Sequence, residues 1–250
     1  MNGQTDPGGS VVERTAAVVD GADPRVTSEY VRVLPASDVR EAVVLVGVVH
    51  DHPASSARAE QVVSSVAPDA VAVELPNALV PLFRQYAAAG ESRGGEMTAA
   101  IAAADTDHVV GVDAPSGRSL TELCLQVVRE RPSLSTVRRT AAAVGRLVAQ
   151  TVRGRLHALG VTETSGISDS HTYACGRSDS PEEQAADEAD HLRRSEALLR
   201  SFEPPDATRL LDDARERAMA AELRSLRQRA SVVGVVGSSH LDAVADALDD

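Results

Sequence analysis

The stretch VVLVGVVHDHP, residues 43–53, decides the fold. Its first seven residues are six apolar residues and Gly47, which is how a strand covered on both faces reads. Pro53 then opens a segment in which Ala59, Val62, Val63 and Val66 recur at helical spacing, and Pro68 ends it. AVAVEL, 70–75, is a second strand. Strand, helix and strand in so short a span form a βαβ unit, whose right-handed crossover makes the two strands parallel. The expected fold is α/β, with a mainly parallel sheet flanked by helices.

Upstream, EYVRVL at 29–34 reads as a short edge strand, and residues 1–28 are polar and rich in Gly, Pro and Asp, as expected of a disordered tail. Downstream, a helix near Pro76 carries Leu79, Leu82, Phe83 and Tyr86, and a second covers 96–104 after the break GESRGGE. HVVGVD, 108–113, is the third strand. Helices follow at about 119–130 and 134–157, then a Ser/Thr/Gly loop at 160–180. Ser180, Pro181 and Glu183 make a capping box for a helix to about 200, and another helix spans 206–229. SVVGVVG, 231–237, is the last strand and leads to His240. The pattern is one domain over 29–250, with a largely helical insert at about 119–205 before the last strand.

Composition narrows the function. The chain has 37 acidic residues against 25 basic ones, every one an arginine, for a net charge of −12. Such a surface repels phosphate backbones and anionic lipid, so nucleic acid and membrane are not expected partners. A lysine-free acidic chain fits either a salt-adapted cytoplasm or GC-rich codon usage. Cys124 and Cys175 lack metal-ribbon or disulfide spacing and read as ordinary thiols. No apolar run approaches ~20 residues and the first 28 lack a signal-peptide layout, so a cytoplasmic protein is expected.

Ligands of open parallel sheets bind beyond the carboxyl ends of the strands. His50 follows the first strand, Glu74 ends the second, Asp113 ends the third, and His240 lies just after Gly237 at the end of the last. Four separate strands therefore deliver chemistry to one edge. Glu74, set in AVAVELP, needs a partner, because an unpaired buried charge costs about 3–5 kcal/mol. Arg217 is the expected one, since it lies between Leu210, Ala214 and Ala221 on its helix, with Glu216 solvated. His50, Glu74 and His240 suit Zn²⁺, Mn²⁺ or Co²⁺ with room for an activated water. Without metal, His50 or His240 could act as general base, Glu74 orienting the imidazole and Arg217 binding the developing anion. GSSH, 237–240, lacks the second glycine of a nucleophile elbow, and no dinucleotide or P-loop motif is present. His108, His157, His171 and His191 read as surface or structural groups.

At these residues the chain resembles the TraB/PrgY family, related to Tiki and GumN-like proteins and more distantly to the erythromycin-esterase/ChaN-like superfamily. The resemblance rests on Gly47-Val48-Val49-His50, on Pro68-Asp69-Ala70-Val71-Ala72-Val73-Glu74-Leu75, on VVGVD ending in Asp113, and on VVGVVGSSHL containing His240. The segment Glu216-Arg217-Ala218-Met219-Ala220 is offset by one residue from the family's helix motif. The family's small polar residue after the first glycine is Val48 here, and Asp51-His52-Pro53 replaces its usual run. The resemblance implies an α/β fold with these histidines and the glutamate in one site, and a hydrolase of peptides or esters. Some relatives use a divalent metal and others none.

Two other readings stay open. His50 and His52 could be the H-x-H metal pair of an amidohydrolase barrel, though that fold needs eight βα units and four strands stand out. The chain could instead be a non-catalytic regulatory protein that binds a peptide or small ligand. The Arg- and Ala-rich helices at 134–157 and 181–200 read either as a homodimer surface or as solvated faces.

Overall fold

The computed structural model describes residues 9–158, 173–201 and 205–249. In chain order its strands are β1 (Val31–Leu34), β2 (Val43–Val48), β3 (Ala70–Pro76), β4 (Val109–Asp113) and β5 (Val232–Gly237). They form one sheet in the order β1-β2-β5-β3-β4. Only β1 runs antiparallel, pairing Val31 with Val46 at the edge; β2, β5, β3 and β4 are parallel neighbours. The last strand in sequence is therefore the central one, inserted between the two strands of the first βαβ unit.

Helices cover both faces, as the unbroken apolar strands require. They are α1 (Val11–Val19), α2 (Pro53–Val66), α3 (Val80–Ala88), α4 (Gly95–Ala103), α5 (Gly117–Glu130), α6 (Leu134–Ala158), α7 (Pro181–Ser201), α8 (Asp206–Leu226) and α9 (Leu241–Asp249). Alternate strand residues face opposite sides. Val44, Val46, Val71, Val73, Val233 and Val235 pack with Val62, Val63, Met97 and Ile101 of α2 and α4. Val43, Leu45, Ala70, Ala72, Val232 and Val236 pack with Met219, Leu223, Val244 and Leu248 of α8 and α9. Valine and alanine fill both layers, which is how a core with five aromatic residues in the whole chain closes.

The expected tail is corrected from residue 9 onward; residues 1–8 lie outside the described residues. Ser10 and Glu13 form a capping box, and VVERTAAVV then runs as α1. Thr15 is fully buried, Val11, Val18 and Val19 pack against the α2 side of the core, and Arg14 Nε donates to Val66 O at 2.8 Å. Val11, Val18 and Val19, at i, i+7 and i+8, give this segment one apolar helical face, which outweighs its polar flanks.

The eight-unit barrel is also corrected: the described residues form a five-stranded open sheet, and no barrel closes. Part of the 160–180 loop, 160–172, lies outside the described residues; 173–180 runs beside the start of α2 and leads into α7. Within the helical insert, α7 folds back onto α2. Arg58 of α2 is fully buried, with its guanidinium 3.8 Å over the Tyr30 ring, and it donates to Gly47 O, Arg25 O and Glu188 of α7. Glu188 also accepts from Ser55 Oγ, whose oxygen accepts from Val49 N. This polar cluster ties the insert to the end of β2. No helix among the described residues is long and apolar enough to cross a membrane.

Candidate functional site

A cleft of about 640 Å³ opens beyond the carboxyl ends of the parallel strands, lined by His50, Glu74, Arg215, Gly237 and His240 from the sheet side. Tyr173 and His191, both from the insert, line its other wall. The chain brings His50, Glu74 and His240 to one cleft because β5 lies between β2 and β3.

Glu74 is nearly buried at the end of β3, and its two oxygens have different partners. Oε1 accepts from Arg215 Nη2 at 2.9 Å and Oε2 accepts from the backbone N–H of Gly237. A side chain at 237 would put a Cβ 3.3 Å from that oxygen, so glycine allows the close approach. Arg215 also grips Asp113, donating from Nε to Oδ1 at 2.8 Å and from Nη2 to Oδ2 at 2.9 Å. Burial works against the Arg215 charge, but the bonds to Asp113 and the charges of Asp113 and Glu74 outweigh it and hold its pKa above the ordinary arginine value. One arginine thus locks the ends of β3 and β4 together.

The cation that pairs with Glu74 is therefore Arg215, and the expected role of Arg217 is corrected: Arg217 is exposed. Leu210, Ala214 and Ala218 are buried but belong to neither apolar cluster of the sheet; Ala214 lines a small pocket with Leu120, Leu123, Val144 and Leu147 of α5 and α6. The sheet-facing file of α8 is Met219 and Leu223, and Arg215 lies one turn before it, just past the strand ends. Glu216 is corrected as well, since it holds His240 rather than standing in solvent. Arg215→Ala should destabilise the fold by about 1.5–3 kcal/mol, because it strips two poorly solvated carboxylates of their shared donor. Arg217→Ala should change stability by less than about 0.5 kcal/mol. Paired urea titrations of the two variants read the difference, and equal effects would refute this assignment.

The two histidines are wired alike. His50 Nδ1 bonds Glu96 Oε1 at 2.7 Å, and the other Glu96 oxygen accepts from Asp51 N at 2.9 Å. His240 Nδ1 bonds Glu216 Oε1 at 2.7 Å, while its Nε2 lies 3.8 Å from Glu74 Oε1. The bond to Glu96 raises His50 to about 9, against a smaller opposing effect of burial; its side chain is 63% exposed to the cleft. For His240, burial opposes the charged form, but the Glu216 bond and the Glu74 charge outweigh it, so its pKa also lies above the ordinary histidine value. A carboxylate behind Nδ1 fixes the ring and leaves Nε2 for a ligand or a proton transfer.

Among the described residues, the one set of three donors whose ligand atoms all lie within 4.8 Å of one another is His52, Cys175 and Asp187. His50, Glu74 and His240 form no such set, so the metal expected there does not fit the arrangement, in which Glu74 is already occupied by Arg215 and Gly237. The described chain does hold a set that could bind a metal, at His52.

His52 is no partner of His50. It is fully buried and caps α2, its Nδ1 accepting from Ala54 N at 3.1 Å, and its Nε2 meets Asp187 Oδ2 at 3.3 Å. Burial lowers its pKa, and burial with Asp187 pushes the Cys175 thiol up to about 12, so both are neutral near pH 7. Gly47, in the motif Gly47-Val48-Val49-His50, gives its carbonyl to Arg58 and sits under Leu241.

Of the remaining histidines, His108 is exposed, while His191 meets the Tyr173 ring edge-on at 5.3 Å and lines the cleft. The His157 side chain and His171 lie outside the described residues. Sequence reading missed Glu96, Glu216, Arg215 and Tyr173. Glu96 did carry a signal: it is the sole charge in the helix GEMTAAIAA. No family model matches the chain, and no curated protein or solved structure is significantly similar to it.

Proposed function

We propose that the protein is a hydrolase of the TraB/PrgY kind, acting on a peptide or small ester, with its protons carried by His50 and His240. The common wiring of these histidines carries the reading: each Nδ1 is held by a carboxylate, and both rings line one cleft with Glu74, which ends the next strand beyond β5. His50, positively charged up to about pH 9, suits donation of a proton to the leaving group. His240, backed by Glu216 and close to Glu74, suits removal of a proton from the attacking water. Arg215 acts behind them as a positioning residue, fixing Glu74 and Asp113. Because His50, Glu74 and His240 do not converge on an ion, no step is assigned to Zn²⁺, Mn²⁺ or Co²⁺ there.

Two free thiols suit a reducing, cytoplasmic setting. Leu134, Val148 and Val152 on α6 are exposed and offer a surface on which a second copy could pair.

The test is hydrolysis of a peptide and ester panel by wild type, His50→Ala and His240→Ala, with folding checked by circular dichroism. Each variant should lose about 10²–10⁴-fold in kcat/KM on any substrate that wild type turns over. Unchanged rates in the variants would remove the catalytic assignment. Saturable ligand binding without turnover in wild type would instead favour a regulatory binding protein.

A further inference from the structure

We infer that His52, Cys175 and Asp187 form a binding site for a borderline divalent ion, Zn²⁺ being the natural occupant, at the junction of α2, α7 and the segment before α7. The site is separate from the histidine pair of the cleft, and it stands whether or not that pair is catalytic.

The spacing carries the inference. His52 Nε2 lies 3.3 Å from Asp187 Oδ2 and 3.8 Å from Cys175 Sγ, and all three donor atoms fall within 4.8 Å of one another. Zinc takes nitrogen at about 2.0–2.1 Å, sulfur at about 2.3 Å and oxygen at about 2.0–2.2 Å, so a tetrahedral ion has N···O and N···S edges of about 3.4 and 3.6 Å. The observed separations sit within a few tenths of an ångström of those edges. As a hydrogen bond, by contrast, the 3.3 Å contact of His52 with Asp187 is long: a good N–H···O contact is about 2.9–3.0 Å. The backbone N–H of Cys175 also reaches Asp187 Oδ2 at only 3.3 Å.

The donor set suits the ion. Imidazole, thiolate and carboxylate favour zinc over the hard cations, which prefer oxygen alone. One thiolate and one carboxylate neutralise a divalent charge, which matters where His52 is fully buried and Asp187 largely so. Three protein donors leave a fourth position for solvent, the pattern of an exchangeable rather than a closed structural site.

The opposing effect is the cap. With Nδ1 accepting from Ala54 N, the His52 proton sits on Nε2, where the ion would bind. Binding moves that proton: the Nε2 hydrogen leaves and Nε2 donates the freed lone pair to the ion, Nδ1 takes up a proton in exchange, and the Ala54 bond is lost. The Cys175 thiol releases its proton to solvent as the sulfur coordinates, so one proton leaves per ion. The lost cap is one hydrogen bond, whereas the ion gains three protein donor bonds, two of them from a thiolate and a carboxylate that balance its charge.

The consequence is local to the cleft. Cys175 is two residues from Tyr173, whose hydroxyl donates to the His50 carbonyl, and His52 is two residues from His50. An occupied site therefore clamps the Tyr173 wall of the cleft onto the start of α2 and onto α7.

Co²⁺ titration of the purified full chain gives a direct reading, followed by displacement with Zn²⁺ in competition with a chromophoric chelator. Wild type should bind one equivalent with a thiolate-to-cobalt charge-transfer band and tetrahedral d–d intensity. Cys175→Ala should lose the band, and Cys124→Ala should keep it. Asp187→Asn retains the hydrogen-bond acceptor but not the charge, and should weaken Co²⁺ binding at least tenfold while staying folded. No band in wild type, or a band that survives Cys175→Ala, would overturn the site. So would Asp187→Asn binding Co²⁺ as tightly as wild type.

Discussion

Replacing Glu188 by alanine is expected to cost about 3–5 kcal/mol of stability, because it leaves a fully buried guanidinium without its counter-charge. Arg58 has no route to solvent, and its remaining partners, the Gly47 and Arg25 carbonyls, the Ser55 hydroxyl and the Tyr30 ring face, carry no full negative charge. Ser55 also loses an acceptor. Against a total stability of about 5–15 kcal/mol, that loss is a large share. The measurement is the shift in the guanidinium chloride midpoint at constant slope. Arg58→Met with Glu188→Leu should recover most of the loss, since an apolar pair of similar volume removes the desolvation penalty along with the attraction. A loss below about 1 kcal/mol for Glu188→Ala would show that water reaches Arg58 and that the insert is not anchored through this pair.

Glu96→Gln should move the alkaline limb of the activity profile downward. The Glu96 bond is the main cause that raises His50 to about 9 from 6.5, so removing its charge returns His50 toward the ordinary value, while the amide oxygen still accepts from Nδ1–H. If His50 donates the proton, wild type loses activity only as pH rises through about 9, and the variant loses it well below that. Near pH 8 the protonated fraction falls from about nine-tenths to a few per cent, roughly a thirty-fold loss of rate, while well below pH 6 the two proteins converge. An alkaline limb that stays in place would remove His50 as the proton donor. The same shift bears on stability. A folded pKa raised above 6.5 stabilises the fold fully below that pH, and the contribution disappears as pH climbs through about 9. The exposure of the His50 ring keeps this stabilisation small through solvent screening. Glu96→Gln also turns an amide nitrogen toward the Asp51 N–H, so folding is checked first.

Within its own residues, the sequence determined the layers. Val43–Val48, Ala70–Pro76 and Val232–Gly237 had to be strands covered on both faces, because continuous apolar β-rich runs between helical spacings have no other stable use. Strand ends are points in the sequence, so the pattern of apolar runs alone assigns His50, Glu74, Asp113 and His240 to one edge of a parallel sheet. The order of the strands was not legible. That β5 enters between β2 and β3, and so sets His240 between His50 and Glu74, depends on which helix covers which face.

The partners of those residues were decided by tertiary packing alone. Helical periodicity gives α8 several candidate inward stripes, and whether Arg215 or Arg217 meets Glu74 turns on which stripe the sheet takes and which α5 and α6 take. The same holds for Glu96 behind His50, Glu216 behind His240 and Glu188 against Arg58, pairs separated by 46, 24 and 130 residues. A side chain's charge is written in the sequence. Its counter-charge is chosen by the fold, because burial forces each charge to find whichever partner the packed elements bring within reach.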